Sequence, residues 1–252
     1  MIVSRAARFS SSWTISVAAA LLLAGCGGGG AWHAKVEGPY LQGKLQYWLV
    51  RPQGKPRAMV VFLHGLSHYT GEQLVQWQKH LATEGYAVIF PREEQPSPDP
   101  DARSNIVVSA YQAIDRLGDP KVPLIILGHS RGARIAVETS GYLVPTTEVI
   151  SVFPGGLNQF FEEPSDLHRI SHATQIYLLW GDQDHIVTES GVQEMQRRLA
   201  EARFPSSHVH VSVIRSTAGF RATHDSVYRT DAAVRRNVWA PIDKLLAKAV
   251  RP

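Results

Sequence analysis

Short apolar runs alternate with helix-like segments along almost the whole chain. The runs at 59–63, 86–90, 124–127, 149–153 and 175–180 are apolar almost throughout, rather than at every second position. Such runs are typical of strands that are buried on both faces, as in a parallel sheet with helices on each side. The pattern therefore predicts an α/β fold with a mostly parallel central sheet, in a single domain without a large cap.

The segments between these runs define the expected helices. Apolar residues at helical spacing predict helices over 72–84, 102–117, 132–142 and 190–202, and a long terminal helix over 226–249 that is broken near Pro241. Two further strands are predicted at 45–50 and 208–214. The sequence contains neither an internal repeat nor a sign of a second domain.

A five-residue motif follows the apolar run at 124–127. The residues Gly128-His129-Ser130-Arg131-Gly132 have the spacing G-x-S-x-G between a predicted strand and a predicted helix. At such a sharp turn a serine side chain is exposed on a strained backbone, and the glycines let the strand and the helix approach closely. The motif alone also arises by chance, and Ser130 could then be only a turn residue. Its place between strand and helix makes Ser130 a candidate nucleophile.

Backbone N–H groups near Ser130 are candidate stabilisers of a negatively charged oxygen. The turn His64-Gly65-Leu66 follows the run at 59–63, and Arg131 begins the predicted helix after Ser130. The N–H groups of Leu66 and Arg131 are therefore predicted to form an oxyanion hole.

Two acids and a histidine lie beyond other predicted strands, where open α/β sheets place their ligand sites. Asp182 and Asp184 follow the run at 175–180, and His224 lies past the strand at 208–214. The acids have no third and fourth ligand at useful spacing, so neither a metal nor another cofactor is expected. An acid that orients an imidazole is the favoured interpretation.

The other histidines near these elements are interpreted as structural. His64 is expected to brace its loop, since only the backbone of Leu66 is needed for chemistry. His208 and His210 fall inside a strand pattern and are expected to be packing or edge residues.

The order Ser130, Asp184, His224 resembles that of the α/β-hydrolase family. The motif Gly128-His129-Ser130-Arg131-Gly132 also occurs in compact chlorophyllase-like and dienelactone-hydrolase-like members, which narrows the subfamily only slightly. The resemblance runs from about residue 40 to the C-terminus. It implies that Ser130 is the nucleophile, His224 the general base and acid, and Asp184 the orienting acid. Asp184 is preferred to Asp182 because the family's acid commonly lies three residues past a glycine. The sequence departs from the family at Ala133, where a glycine is frequent, and at Thr223, where a glycine often precedes the histidine.

The activity that this resemblance implies is hydrolysis of carboxylic esters through an acyl-enzyme intermediate, with no cofactor. The expected partner is a small-molecule ester, with short-chain esters the first choice. Two alternatives stay open. One is a serine peptidase or amidase that uses the same three residues, and the other is a catalytically silent, lipid-anchored binding protein.

The N-terminal residues resemble the leader of a bacterial lipoprotein. Arg5 and Arg8 precede an apolar stretch at 13–23, and Leu23-Ala24-Gly25-Cys26 resembles a lipobox. The resemblance implies a signal peptide at 1–25 and lipidation of Cys26. The glycine run at 27–30 predicts a flexible tether at 26–35, and the hydrolase domain is predicted at 36–252. The lipoprotein resemblance also implies an exported protein on a bacterial membrane, with Gly27 favouring the outer membrane. Cys26 is the single cysteine, so an intramolecular disulfide is excluded.

Charge does not indicate a nucleic-acid partner. The formal net charge is +4, and removal of residues 1–25 deletes two basic and no acidic residues, which leaves 24 − 22 = +2. The basic pairs Arg197-Arg198 and Arg235-Arg236 each lie on a predicted helix and are interpreted as solvated helix faces.

Overall fold

The computed structural model describes residues 34–66, 72–92, 101–143, 145–156 and 164–251. Cys26 and the predicted signal peptide lie outside these residues. Among the residues that are described, no helix combines the length and the apolar character needed to cross a membrane.

Eight strands in the described part of the chain form one sheet in the order β1-β2-β4-β3-β5-β6-β7-β8. They are β1 (Val36–Tyr40), β2 (Tyr47–Val50), β3 (Ala58–Leu63), β4 (Tyr86–Pro91), β5 (Leu124–His129), β6 (Thr146–Val152), β7 (Gln175–Gly181) and β8 (Val209–Ile214). Strand β2 is antiparallel to β1 and β4, and every other neighbouring pair is parallel. The prediction of a mostly parallel sheet is confirmed.

Helices cover both faces of this sheet. The α-helices are α1 (Val75–Thr83), α2 (Ala102–Arg116), α3 (Arg131–Thr139), α4 (Ser190–Glu201), α5 (Ala232–Val234) and α6 (Ala240–Ala249). Short 3₁₀ turns lie at Gly43–Leu45, Glu72–Leu74, Ser206–His208 and His224–Tyr228, and a π-helical segment lies at Arg235–Trp239.

The predicted long helix over 226–249 is wrong in its first part. Residues His224–Tyr228 form a separate 3₁₀ turn, and the helical stretch starts only after Asp231. The Asp231 carboxylate accepts hydrogen bonds from the N–H groups of Ala233 and Val234 and so caps the new helix. Pro241 lies in the first turn of α6, where its missing N–H is tolerated, and the π-helical segment directly precedes it.

The apolar runs are explained by two hydrophobic clusters, one on each face of the sheet. Along β3, Met59, Val61 and Leu63 pack into the cluster that α2, α3 and α4 cover. Val60 and Phe62 point to the opposite face, into the cluster that α1 and α6 cover. Because successive side chains of a strand point to opposite faces, a strand covered on both sides is apolar at every position.

The carboxyl ends of the central strands lie at one edge of the sheet. Leu63 of β3 pairs with Gly128 of β5, and Val152 of β6 pairs with both His129 and Leu179. The loops that leave β3, β5, β6 and β7 therefore start side by side, at the edge where such sheets hold their ligands.

Candidate active site

Ser130 has an unusual backbone conformation between β5 and α3. Its φ is 57° and its ψ is −123°, a region that residues with a side chain rarely adopt. The Ser130 N–H donates a hydrogen bond to the carbonyl oxygen of Val152 at 3.0 Å, and the N–H of Gly155 donates to the Ser130 carbonyl at 3.1 Å. The end of β6 thus holds the strained turn in place.

The two glycines of the motif allow the turn to pack against its neighbours. A Cβ at Gly128 would lie 2.2 Å from the carbonyl oxygen of Gly132, and a Cβ at Gly132 would lie 2.3 Å from that of His64. Neither distance can accommodate a side chain, so only glycine fits at either position. This close packing brings the loop after β3 against the turn that carries Ser130.

Three of the predicted residues form one hydrogen-bonded chain. The Nε2 atom of His224 lies 2.9 Å from Ser130 Oγ, and its Nδ1 atom lies 2.8 Å from Asp184 Oδ2. All three side chains belong to buried residues. Asp184 follows β7, and His224 opens the 3₁₀ turn beyond β8, so the sheet brings together residues that lie far apart in the chain.

Asp184 is held as a carboxylate. Its Oδ1 accepts hydrogen bonds from the N–H groups of Ile186 at 2.9 Å and Val187 at 3.2 Å. Burial raises the pKa of Asp184, but the hydrogen bond from His224 and those from these N–H groups bring that pKa below its ordinary value. An ionised carboxylate only accepts hydrogen bonds, so His224 Nδ1 is the donor and Nε2 is left to accept from the Ser130 hydroxyl.

Asp182 has a different environment. Its two oxygens accept from the N–H of Ser216 at 2.9 and 3.0 Å, and the Ser216 hydroxyl donates to Oδ1 at 2.6 Å. These hydrogen bonds from Ser216 bring the pKa of Asp182 below its ordinary value. The Ser216 hydroxyl in turn accepts from the N–H of Ala222 at 3.0 Å. Asp182 therefore braces the loop that leads to His224, and Asp184 is the acid on the imidazole.

The two predicted oxyanion-hole residues lie beside Ser130. Arg131 is the first residue of α3, and the N-terminal end of a helix carries partial positive charge. Leu66 follows Gly65, where a Cβ would lie 3.1 Å from the Cβ of Ser130. The Arg131 side chain is buried, and the His64 ring donates from Nδ1 to the Gly65 carbonyl at 2.6 Å.

His208 and His210 lie away from this group, because His208 ends the 3₁₀ turn before β8 and His210 is the second residue of β8. The Nδ1 atom of His208 donates to the His172 carbonyl at 2.6 Å. The ring of His210 stacks on Tyr177 with 4.7 Å between centroids, and its Nε2 lies 2.9 Å from Gln175 Oε1. Across the ranges described above, no group of three or more His, Cys, Asp or Glu residues is arranged to hold a metal ion.

Three aromatic residues at the site were not predicted from the sequence. The ring of His129 lies 4.7 Å from that of His224 between centroids, and its two nitrogens contact Tyr228 and the His224 backbone. Phe153 packs its ring 6.1 Å from that of His224 on a backbone with φ of 54°. His129 was visible as the residue before Ser130, but Phe153 and Tyr228 carried no signal beyond ordinary core residues.

A mostly parallel sheet with a strained serine after β5 and its hydrogen-bonded partners after β7 and β8 defines the α/β-hydrolase fold. Comparison with known proteins agrees on the fold. No protein-family model and no curated protein matches the chain. Solved structures do match, although at low sequence identity.

Three of these structures illustrate the range. Esterase B from Lactobacillus rhamnosis, inhibited with a tributyrin phosphonate, has a TM-score of 0.62 at 13% identity, with 86% of each chain covered. A dienelactone hydrolase-like promiscuous phosphotriesterase from metagenomic libraries has a TM-score of 0.61 at 15% identity, covering 81% of this chain and 92% of that one. An acylaminoacyl peptidase from Pyrococcus horikoshii has a TM-score of 0.59 at 10% identity, covering 81% of this chain and 39% of that one. These likenesses establish the fold.

Proposed function

We propose that the chain is a serine hydrolase that cleaves carboxylic ester bonds. The observation that carries this proposal is the hydrogen-bonded chain from Asp184 through His224 to Ser130, on a strained turn at the ligand-binding edge of the sheet. Nucleophile, base and orienting acid at hydrogen-bond distance are the geometry that acyl transfer requires. A serine that only made a turn would need neither partner.

The reaction proceeds in two halves. The Ser130 oxygen attacks the ester carbonyl carbon while its proton passes to His224 Nε2, and the resulting imidazolium is stabilised by Asp184. The tetrahedral intermediate then expels the alcohol, which takes that proton, and an acyl-serine remains. A water molecule attacks the acyl-serine with His224 again as base, which releases the acid and restores the Ser130 hydroxyl.

Stabilisation of the oxyanion is assigned to the N–H groups of Leu66 and Arg131. The proximity of Gly65 to Ser130 and the position of Arg131 at the start of α3 support this assignment. The partial positive charge at the helix N-terminus favours negative charge on the substrate oxygen.

An ester is favoured over an amide by the structural relatives. Esterase B is inhibited by a tributyrin phosphonate, and the metagenomic relative is a phosphotriesterase. The acylaminoacyl peptidase keeps amide hydrolysis as the second candidate. The buried, fully connected triad argues against a silent binding protein, because drift would readily remove one of its members.

The decisive experiment combines labelling with turnover. Wild type, Ser130→Ala and Ser140→Ala are treated with a fluorophosphonate and assayed on p-nitrophenyl acetate and a peptide anilide. Ser140 is the matched control, because it is a buried serine at the other end of α3. Its hydroxyl donates a hydrogen bond to the carbonyl oxygen of Val137 and contacts neither His224 nor Asp184 in the hydrogen-bonded chain of the site. Labelling and ester turnover in wild type and Ser140→Ala, but not in Ser130→Ala, are expected.

Each other outcome has a definite meaning. Full ester turnover by Ser130→Ala would exclude Ser130 as the nucleophile. Faster cleavage of the anilide would favour a peptidase or amidase. A folded wild type with neither labelling nor turnover would favour the binding protein.

The proposed location is the bacterial envelope, through a lipid on Cys26. Growth with a radiolabelled fatty acid is expected to label the wild-type chain and to leave Cys26→Ser unlabelled. Label on both chains, or on neither, would contradict lipidation at Cys26.

A further inference from the structure

We propose that His129 is a positioning residue that holds the backbone of His224 by joining the two ends of the turn His224–Tyr228. This inference rests on the proposed function, because it assigns His129 a part in orienting the base of the same site. His129 precedes Ser130 directly in the chain and is 1% exposed.

Each nitrogen of the His129 imidazole contacts one end of the turn His224–Tyr228. Its Nε2 lies 3.2 Å from the carbonyl oxygen of His224, and its Nδ1 lies 3.0 Å from the hydroxyl oxygen of Tyr228. A carbonyl oxygen can only accept, so Nε2 is the donor in the first contact. In the neutral ring Nδ1 is then an acceptor, and the Tyr228 hydroxyl is the donor in the second. Burial raises the pKa of Tyr228, which keeps that hydroxyl protonated.

These two hydrogen bonds connect the two ends of the turn that carries His224. His224 is the first residue of the 3₁₀ turn and Tyr228 is the last, so one imidazole holds the carbonyl at its start and the hydroxyl at its end. The same imidazole is one peptide bond from Ser130. The distance between nucleophile and base is thereby fixed through the main chain as well as through their own side chains.

Neighbouring groups lock the His129 ring in this orientation. Tyr228 and Phe153 both meet it edge to face, with centroid distances of 5.2 and 5.9 Å. A Cβ at Gly65 would lie 3.1 Å from the Tyr228 hydroxyl and 3.2 Å from His129 Nδ1. The loop that carries Leu66 thus rests on the same pair of residues.

This arrangement has a consequence for catalysis. The hydrogen bond between His224 and Ser130 is broken each time the serine is acylated, so it cannot hold the imidazole throughout the cycle. The hydrogen bond from His129 to the His224 carbonyl involves no reacting atom and persists in every step. A displacement of about 1 Å in a catalytic group lowers a rate by about 100-fold, so the loss of this bond is expected to slow the chemical step.

The test compares two substitutions of His129 with one of Tyr228. His129→Leu removes both hydrogen bonds, whereas His129→Gln retains a donor amide for the His224 carbonyl. Tyr228→Phe removes only the hydroxyl. His208→Leu is the matched control, because His208 also donates to a backbone carbonyl but lies in the 3₁₀ turn before β8, away from the site.

In His129→Leu we expect kcat for p-nitrophenyl acetate to fall by about 10- to 100-fold, with KM changed less than about twofold. His129→Gln should recover most of this loss, Tyr228→Phe should be intermediate, and His208→Leu should match wild type. Thermal unfolding of each variant separates a loss of folded protein from a loss of turnover. A wild-type kcat in folded His129→Leu would overturn the proposal. Equal kcat values for His129→Leu and His129→Gln would do the same.

A second measurement does not depend on turnover. The proton on His224 Nδ1, in its hydrogen bond to Asp184, is followed by proton NMR in the downfield region. We expect this signal to shift or broaden in His129→Leu and to be retained in His129→Gln and His208→Leu. An unchanged signal in His129→Leu would overturn the positioning role even in a protein without esterase activity. Absence of turnover and labelling in wild type would instead refute only the proposed function.

Discussion

Asp184 Oδ2 lies 2.8 Å from His224 Nδ1, whereas Asp182, two residues earlier, turns its carboxylate to Ser216. The two acids leave the same strand and are both negatively charged, yet they have different tasks. One orients an imidazole, and the other fastens the loop that delivers it.

Substitution of each acid by its amide separates these tasks. Asp184→Asn is expected to lower kcat for an ester by roughly 10³- to 10⁴-fold, because the amide no longer enforces the tautomer with Nε2 as acceptor. Asp182→Asn keeps an oxygen that can accept from Ser216 and is expected to cost about tenfold or less. Steady-state kinetics on both variants decide the assignment, and a larger loss in Asp182→Asn would reverse it.

Gly132 packs so closely against the loop after β3 that its position cannot accommodate a side chain. Gly132→Ala places a Cβ 2.3 Å from the His64 carbonyl oxygen and is expected to lower the free energy of unfolding by more than about 3 kcal/mol, or to prevent folding. Gly219→Ala is the control, because Gly219 has φ of 86° and open space around it. It should cost only about 1–2 kcal/mol, from the left-handed backbone alone. Urea unfolding compares the two, and equal losses would show that the contact is unimportant.

A buried ion cluster fastens α3 to α2 and α4. Glu138 accepts hydrogen bonds from Arg134 at 2.9 Å, Arg198 at 2.7 Å and Arg103 at 3.1 Å, and its side chain is fully buried. Burial raises the pKa of Glu138, but the charges of the arginines bring it below the ordinary value.

Loss of this carboxylate leaves the arginine charges uncompensated. Glu138→Gln is expected to lower the free energy of unfolding by about 3–5 kcal/mol. Glu201→Gln removes an exposed partner of Arg197 and should cost less than about 1 kcal/mol. Denaturant unfolding of both variants tests the difference, and a Glu138 variant as stable as the Glu201 variant would contradict it.

The raised pKa of the buried Glu148 carboxyl makes the stability of the folded chain depend on pH. Glu148 is 2% exposed, and burial raises its pKa from 4.5 to about 8, although the charge of Lys248 lowers it. Between these two values the unfolded chain ionises Glu148 while the folded chain keeps it protonated. The free energy of unfolding therefore falls by up to about 1.4 kcal/mol per pH unit as pH rises across this window.

Glu148→Gln is expected to remove this loss. The variant should unfold at the wild-type temperature near pH 4 and at a higher temperature than wild type near pH 8. Glu84→Gln, at an exposed glutamate, serves as the control. Calorimetry across the pH range makes the comparison, and parallel pH curves for wild type and Glu148→Gln would show that Glu148 is not the group responsible.

The central strands were predictable because their signal is local. The run at 124–127 is apolar on both faces, and the observed β5 differs from the prediction only by its two extra residues at the carboxyl end. Strand β1 was missed because it contains Gly38 and Pro39 and is only partly buried. The terminal helix was predicted to start too early, at 226, because its apolar spacing continues across the 3₁₀ turn at His224–Tyr228. Asp231, which caps the helix through the N–H groups of Ala233 and Val234, was a local signal that the prediction did not use.

At the candidate site, too, some residues have a local sequence signal and others do not. Ser130, Asp184 and His224 are each marked by their position after a strand, so the sequence was enough to nominate them. The link between His129 and Tyr228 joins residues 99 positions apart, and no local pattern encodes such a contact. Contacts of this kind are therefore visible only in the folded chain.

Under the proposed function, the hydrogen-bonded chain at the site also determines when Ser130 becomes reactive. His224 lies 94 positions after Ser130 and 40 after Asp184, beyond the last strand of the sheet. A chain that has not yet docked β8 and the turn after it has an ordinary hydroxyl at Ser130. Under the proposed function, covalent labelling of Ser130 would thus count only the molecules in which β8 and the turn after it have docked.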